Sequence, residues 1–280
     1  MKLKFTKMHG CGNDYVYFNC FDKNIDNPEK LSVELSNRRF GIGGDGIILI
    51  CPSNVADAKM RMFNLDGSEG KMCGNGIRCV GKFLYDNGIV RKDKITIETL
   101  SGIKTLLLHT KHGEATMLTV DMGNPEFNPS KVPVKLPGNK IVNRCVKIGK
   151  EDYNVTCVSM GNPHCVLFLK DDVKNLNLDE IGPKFENAEI FPEKVNTEFV
   201  NVIDDKTLSM RVYERGSGET LACGTGACAV AVAAVLNGIC KKNEDITVRL
   251  LGGSLKIKYT DETVFMTGPA KKVFEGEVEI

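Results

Sequence analysis

Short segments in which apolar and polar residues alternate run through most of this chain. Residues 58–64, AKMRMFN, follow that pattern, which is typical of a strand with one buried face. Further on, Ile77, Val80 and Leu84 keep the three-to-four spacing of a helix, and Asn87-Gly88 is a typical helix end. Three segments of strand character follow: ITIETL, IKTLLLHT and ATMLTVDM. The pattern therefore predicts an α+β fold in which strands surround a central helix.

This plan occurs twice along the chain. MRMFN at 60–64 and Cys73-Gly-Asn-Gly correspond to MRVYE at 210–214 and Cys223-Gly-Thr-Gly, each 150 positions later. A segment rich in Ala and Val follows Cys223, and it predicts a helix over 227–236 that is buried on most sides. The repeat indicates a duplicated fold.

We therefore expect two pseudo-symmetric domains, each a curved, mostly antiparallel sheet around a central helix. The first is predicted over residues 1–122 and carries Cys73, with the C-terminal segment 268–280 returning to it. The second is predicted over residues 123–267 and carries Cys223.

Composition narrows the class of protein. The chain has 280 residues, 42% hydrophobic and 26% charged, with a net charge of +1. A net charge this small creates no long-range electrostatic field that would attract nucleic acid or an anionic membrane. No apolar stretch approaches the ~18 residues of a membrane span. Eleven cysteines, an odd number, with no secretory signal at the start, predict free thiols in a reducing cytoplasm. We therefore expect a cytoplasmic globular protein whose partner is neither nucleic acid nor a membrane.

Two cysteines at equivalent helix starts suit a reaction with two bases. Only the thiolate is a base, and a free thiol is about 3% ionised at pH 7. A helix N-terminus favours the thiolate by about 0.3–1 kcal/mol, so we expect both thiols to stay mostly protonated. The backbone N–H groups of each Cys-Gly-X-Gly can hold a carboxylate. The spacings Cys73–Cys79 and Cys223–Cys228 do not fit a zinc knuckle, so no metal is predicted.

Several segments resemble the diaminopimelate epimerase family, and they occur in the family's order. They are HGCGNDYV (9–16), GIGGDG (41–46), FNLDGSEGKMCGNGIRC (63–79), MGNPHCV (160–166), NTEFV (196–200) and ERGSGETLACGTGACA (214–229). The resemblance implies the diaminopimelate epimerase-like fold and interconversion of LL- and meso-2,6-diaminopimelate, for lysine and peptidoglycan synthesis. It implies no pyridoxal phosphate or other cofactor, and a possible homodimer.

The resemblance also implies a set of site residues. Cys73 and Cys223 would be the catalytic acid and base, with His164 and Glu214 tuning their pKa values. Substrate would be bound by the following residues: Asn13, Asn64, Gly74, Asn75, Asn162, Asn196, Glu214, Arg215, Gly224 and Thr225. Two positions depart from the family pattern, since many relatives carry Gln at Gly46 and a short or neutral residue at Lys71.

Two alternatives remain open from the sequence. A proline or hydroxyproline racemase of the same architecture would use the same pair of cysteines. Asn64, Asn196 and Arg215 speak against it, because proline has no distal charged group to bind. The other alternative is a thiol redox protein that uses Cys73 and Cys223 as a disulfide pair.

Overall fold

The computed structural model describes residues 2–280 and confirms the α+β class. Two compact units make up the chain: Met1–Asp121 with Thr267–Ile280, and Met122–Met266. Each unit is a mixed sheet with one largely buried helix.

The first unit follows the order that its alternating segments predict. Its elements are β1 (Lys2–Gly10), β2 (Asn13–Asn19), α1 (Pro28–Ser36), β3 (Gly46–Cys51), β4 (Ala58–Asn64), β5 (Glu69–Gly70), α2 (Gly74–Asp86), β6 (Lys94–Thr99), β7 (Gly102–Lys111) and β8 (Glu114–Asp121). β2 runs antiparallel to β1 and parallel to β3. β4 runs antiparallel to β3 and β5 and parallel to β6, and β6, β7 and β8 form an antiparallel meander.

The second unit repeats these pairings. Its elements are β9 (Arg144–Ile148), β10 (Glu151–Ser159), β11 (Pro163–Phe168), a 3₁₀ helix (Val173–Asn175), α3 (Leu178–Glu186), β12 (Asn196–Asp204), β13 (Thr207–Glu214), β14 (Gly218–Thr220), α4 (Gly224–Leu236), β15 (Asp245–Leu250) and β16 (Gly253–Tyr259). β11 is antiparallel to β10 and parallel to β12. β13 is antiparallel to β12 and β14 and parallel to β15, as β4 is in the first unit. The duplication predicted from the motifs is thus confirmed in the strand pairing.

Two strands complete the chain. β17 (Val264–Pro269) begins in the second unit, and β18 (Lys271–Glu279) lies in the first. β18 pairs antiparallel with β1, from Lys2↔Glu279 to His9↔Lys271.

The central helices α2 and α4 start and end on corresponding residues. Each begins directly after its motif cysteine and ends at an Asn-Gly pair, where Gly88 and Gly238 take φ values of +69° and +70°. Glycine adopts this left-handed conformation without strain. α4 begins at Gly224, three residues before its apolar pattern does, because the Cys223 side chain caps the first turn. Residues 227–234 are all buried, as predicted.

The sequence analysis assigned no element to the region of α3. This helix contains Gly182 and Pro183, two residues that usually interrupt helices. Gly182 packs against the Tyr213 ring so closely that a Cβ there would lie 2.2 Å from a ring carbon. Phe185 of the same helix is fully buried, with its ring 5.5 Å from that of Phe199. Packing therefore outweighs the poor helix propensity. Among residues 2–280, no helix is long and apolar enough to cross a membrane.

Candidate active site

Cys73 lies at the N-cap of α2 in the first unit, and its side chain is half-buried. The backbone N–H of Gly76 donates to its Sγ at 3.3 Å. Asn13, at the start of β2, accepts a hydrogen bond from the thiol at 3.2 Å between Sγ and Oδ1. The first unit thus holds the thiol between a helix start and an amide oxygen.

The surroundings of Cys73 act on its pKa in opposite directions. Burial raises the pKa of the Cys73 thiol above its usual range, and this effect prevails. The backbone N–H groups of Gly76 and Asn75, the Tyr15 hydroxyl and the Arg78 charge lower it. The thiolate therefore has hydrogen-bond donors ready, although the thiol is the favoured form.

Cys223 occupies the same position at the start of α4 in the second unit. The Gly226 N–H lies 3.3 Å from its Sγ, and the Thr225 hydroxyl lies 3.4 Å from it. The side chain is 5% exposed. Burial raises the pKa of Cys223 well above its usual range, and the charges of Glu214 and Glu198 raise it further. Carboxylates near a thiol oppose a second negative charge.

The sequence analysis expected the helix starts to favour the thiolates slightly. That effect is present at both sites, as the N–H groups of Gly76 and Gly226 lower the pKa values. It is nevertheless smaller than the desolvation of the two sulfurs, which raises both values. The direction of both shifts therefore agrees with the expectation that the thiols stay mostly protonated, and its main cause is desolvation.

His164 forms a buried pair with Glu198 behind Cys223. Its Nδ1 lies 2.6 Å from Glu198 Oε1, and its Nε2 lies 3.0 Å from Asn162 Oδ1. Both His164 and Glu198 are fully buried. Burial raises the pKa of the Glu198 carboxyl, while His164 acts in the opposite direction. The charge of Glu198 acts in turn on the Cys223 thiol, whose pKa it raises.

Glu198 was missed in the sequence analysis, although the quoted segment NTEFV contains it. Its Oε1 lies so close to α4 that a Cβ on Gly226 would come within 2.6 Å of it. The corresponding atom in the first unit is a methyl carbon, since a Cβ on Gly76 would lie 2.7 Å from Ile48 Cδ1. The duplicated sites thus differ in charge, because Cys223 has a carboxyl neighbour where Cys73 has an apolar one.

Asn196 joins the start of β11 to the turn after β13. Its Nδ2 donates to the Pro163 carbonyl at 2.8 Å, and its Oδ1 accepts from the Arg215 N–H at 2.9 Å. The Arg215 guanidinium donates to the Glu193 carbonyl at 2.9 Å. Glu214 accepts a hydrogen bond from the Thr220 hydroxyl. The second unit therefore brings these side chains together around the end of β13.

The remaining predicted residues lie at the helix starts and at the end of β4. Gly74 and Gly224 are the first residues of α2 and α4, with Asn75 and Thr225 next to them. The Asn75 side-chain oxygen accepts a hydrogen bond from Arg78 at 2.8 Å, so the group that Asn75 offers at the helix start is its backbone N–H. Asn64 donates to Ser68 Oγ at 3.0 Å.

None of these side chains forms a metal cluster. Within residues 2–280, no group of three His, Cys, Asp or Glu side chains lies close enough together to hold a metal ion.

Solved structures share this fold at low sequence identity. A PhzF-family phenazine biosynthesis protein from Bacillus anthracis aligns with a TM-score of 0.70 and 16% identity over 100% of both chains. A probable proline racemase from Agrobacterium radiobacter aligns with a TM-score of 0.70 and 14% identity, over 99% of this chain and 93% of the other. At these identities the likeness concerns the fold alone.

The sequence itself decides the family. The family model described as Diaminopimelate epimerase matches residues 5–128 and 156–273. The chain belongs to the diaminopimelate epimerase family. A diaminopimelate epimerase from Acetivibrio thermocellus is 54% identical over 280 residues, covering 99% of each chain. One from Methanococcus maripaludis is 52% identical, covering 99% of this chain and all of its own. The resemblance to the diaminopimelate epimerase family that the sequence motifs indicate is thus confirmed.

Proposed function

We propose that this chain interconverts LL- and meso-2,6-diaminopimelate by proton transfer at one α-carbon, with Cys73 and Cys223 as the two bases. Membership of the epimerase family makes the chain an isomerase. The single observation that carries the mechanism is the pair of cysteines at equivalent N-caps of duplicated helices, each receiving a backbone N–H at 3.3 Å.

The number of protons is conserved in the proposed reaction, and all of them come from the cysteine side chains and the substrate. One cysteine, as thiolate, takes the α-proton and becomes a thiol. The other cysteine, as thiol, gives its proton to the opposite face of the carbanion and becomes a thiolate. The backbone N–H groups at Gly74, Asn75, Gly224 and Thr225 would bind the α-carboxylate, where fixed donors stabilise the developing charge.

The predicted polar side chains of the two units supply the second part of the proposal. Asn13, Asn64, Asn162, Asn196 and Glu214 would bind the amino and carboxylate groups of the substrate. The Arg215 guanidinium now donates to the Glu193 carbonyl at 2.9 Å. On substrate binding it would donate to the distal carboxylate instead, because a guanidinium can form two parallel hydrogen bonds with a carboxylate. His164 and Glu214 would tune Cys223, and the charge of Glu214 already raises the pKa of that thiol.

We further propose that the protein is cytoplasmic and a homodimer. All eleven cysteines within residues 2–280 are free thiols, the state that a reducing compartment maintains. On β18, Val273 and Phe274 are 56% and 46% exposed, and a second copy would cover such apolar side chains. Light scattering at micromolar protein should give twice the chain mass, and a monomer would refute the dimer.

Proton NMR in D₂O tests the substrate. The reduced protein is incubated separately with LL-diaminopimelate, L-proline and hydroxyproline, beside a Cys73→Ala, Cys223→Ala double variant as control. We expect loss of the α-proton signal with diaminopimelate alone, and none with the variant. Exchange with proline but not diaminopimelate would replace the substrate by that of a racemase. Exchange with none would favour the thiol redox alternative.

A further inference from the structure

Asp45 connects a charged cluster of the first unit to the cysteine site. It stands at the end of the turn that leads into β3. Its Oδ2 accepts hydrogen bonds from Asn13 Nδ2 at 2.7 Å and from the Asp14 backbone N–H at 3.2 Å. Its Oδ1 accepts from Arg38 Nη2 at 3.0 Å. Three donors therefore hold this carboxylate in place.

The contact with Asp45 fixes which way the Asn13 amide points. A carboxylate can only accept hydrogen bonds, so Asn13 must turn its NH₂ group toward Asp45. The other end of the amide, Oδ1, then faces Cys73 Sγ at 3.2 Å. Since a carbonyl oxygen can only accept, this contact is a hydrogen bond when Cys73 carries its proton and a repulsion when it does not.

We propose that Asp45 is a positioning residue for Cys73, which keeps the Asn13 amide oxygen on the thiol and so stabilises the protonated form. The inference rests on the proposed function, in which Cys73 gains a proton when it acts as base. A thiolate whose conjugate thiol is stabilised is the stronger base, and an α-carbon proton requires a strong one. Asp45 thus supports the base without touching the substrate.

The rest of the cluster keeps Asp45 from turning away. Arg38 also binds Asp14 at 2.6 Å, and Asp14 pairs with Lys7 at the same distance. Lys7 is 6% exposed and also donates to the Gly43 carbonyl. The Asp45 N–H donates to the Asp14 carbonyl at 2.7 Å. Contacts therefore hold both the backbone and the carboxylate oxygens of Asp45 in place.

Other titratable groups also face Cys73, and they must be separated from the effect of the amide. Tyr15 and Tyr17 face it from β2, and Arg78 and Cys79 face it from α2. The Asp45 charge itself opposes ionisation of nearby acids. Replacing Asp45 by Ala removes that charge as well as the orientation. A double-variant cycle with Asn13 distinguishes the two effects, since only the orientation acts through Asn13.

The experiment measures the alkylation rate of Cys73 by iodoacetamide between pH 6 and pH 10. Trypsin releases residues 72–78, MCGNGIR, a peptide with one cysteine, so mass spectrometry reports Cys73 separately from the other thiols. The variants are Asp45→Ala, Asn13→Ala and the double variant. Glu69→Gln serves as control, because Glu69 pairs with Arg61 and its contacts do not include Asn13.

Asp45→Ala should move the alkylation midpoint to lower pH and speed the reaction at pH 7 about fivefold to tenfold, the worth of one hydrogen bond. In the Asn13→Ala background the same change should alter the rate less than about twofold, as Glu69→Gln should in the wild type. An equal acceleration in both backgrounds would show a charge effect alone and overturn the proposal. An unchanged midpoint in Asp45→Ala, with the wild-type circular dichroism spectrum, would overturn it too.

This assay needs no substrate, so it fails separately from the proposed function. Diaminopimelate exchange in D₂O, run on the same samples, tests the activity. If the alkylation rates follow the expected double-variant cycle but no deuterium exchange with diaminopimelate occurs, the positioning role stands and the proposed epimerase activity is refuted. Exchange without the expected cycle would do the reverse. If Asp45→Ala does not fold, Asp45→Asn is measured instead, because it keeps an acceptor for the Asn13 NH₂ group without the charge. An unchanged midpoint in Asp45→Asn would support the orientation, and a midpoint at lower pH would show a charge effect and overturn the proposal.

Discussion

His164 Nδ1 lies 2.6 Å from Glu198 Oε1, and both side chains are fully buried. The carboxyl belongs to β12 and the imidazole to the neighbouring parallel strand β11. Burial raises the pKa of the Glu198 carboxyl, and the contact with His164 acts in the opposite direction. The charge of Glu198 in turn raises the pKa of Cys223. One pair of strands thereby sets the state of a thiol at the start of α4.

Glu198→Gln should separate the two consequences of this pair. Without the carboxylate the pKa of Cys223 falls, so its alkylation at pH 8 should accelerate several-fold. Epimerisation should slow at least about tenfold, because the Cys223 thiolate becomes a weaker base in the direction in which it takes the α-proton. Fragmentation of the tryptic peptide 216–241 assigns the label among Cys223, Cys228 and Cys240. Glu244→Gln, which removes an exposed partner of Lys206, should change neither rate. Parallel losses of both rates would contradict the account.

The Lys7–Asp14 pair predicts a pH dependence of stability. Burial alone would raise the pKa of Asp14, but the hydrogen bonds and charges of Arg38 and Lys7 outweigh it and lower the pKa. A lowered carboxyl pKa stabilises the fold above the unfolded value of 3.8, and this contribution is lost as pH falls through the folded value below it. Asp14→Asn should therefore lower the free energy of unfolding by about 3 kcal/mol at pH 7.

Urea titrations at pH 7 and pH 2.5 measure this effect. The difference between wild type and Asp14→Asn should shrink as the pH falls, because protonation of the wild-type carboxylate removes the same charge. Asp205→Asn provides the control for an exposed aspartate. A difference that stays constant between the two pH values would assign the loss to packing instead of charge.

Gly76 and Gly226, equivalent positions of the two helices, predict unequal costs for the same substitution. In Gly226→Ala the new Cβ would meet Glu198 Oε1 at 2.6 Å, and His164 holds that oxygen in place. In Gly76→Ala it would meet Ile48 Cδ1 at 2.7 Å, the end of a flexible side chain. Overpacking costs about 1–3 kcal/mol, and Gly226→Ala should lie at the upper end and Gly76→Ala at the lower. Urea unfolding at pH 7 gives both values, and equal losses would contradict the asymmetry.

The sequence predicted the duplicated topology and both motif cysteines, because each copy repeats the same alternation and helix punctuation. Glu198 was not predicted as a site residue, for a physical reason. A polar residue within an alternating strand normally faces solvent, but residues 196–200 of β12 are buried on both faces. Helix α3 was missed because the packing of Gly182 against Tyr213, which stabilises it, is a contact with another element.

The direction of the thiol pKa shifts could not be obtained from the sequence either. The helix start is visible in the motif, and its effect on a thiol is small and favours ionisation. Desolvation depends on which side chains cover the sulfur in the folded chain, and the groups that act on these thiols include Tyr15 of β2 and Glu198 of β12, which lie outside the cysteine motifs. The larger effect is therefore the one that only the folded structure contains.

The most direct test of the two-base account is the early time course of deuterium incorporation from D₂O, starting from LL-diaminopimelate. With two cysteines, the product receives its proton from the thiol that has equilibrated with solvent. The first meso product should therefore carry deuterium at one α-carbon, while the remaining LL substrate stays unlabelled. Cys73→Ala and Cys223→Ala should each abolish the product. Undeuterated meso product in the first turnovers would show that a single group carries the proton across, and would contradict the account.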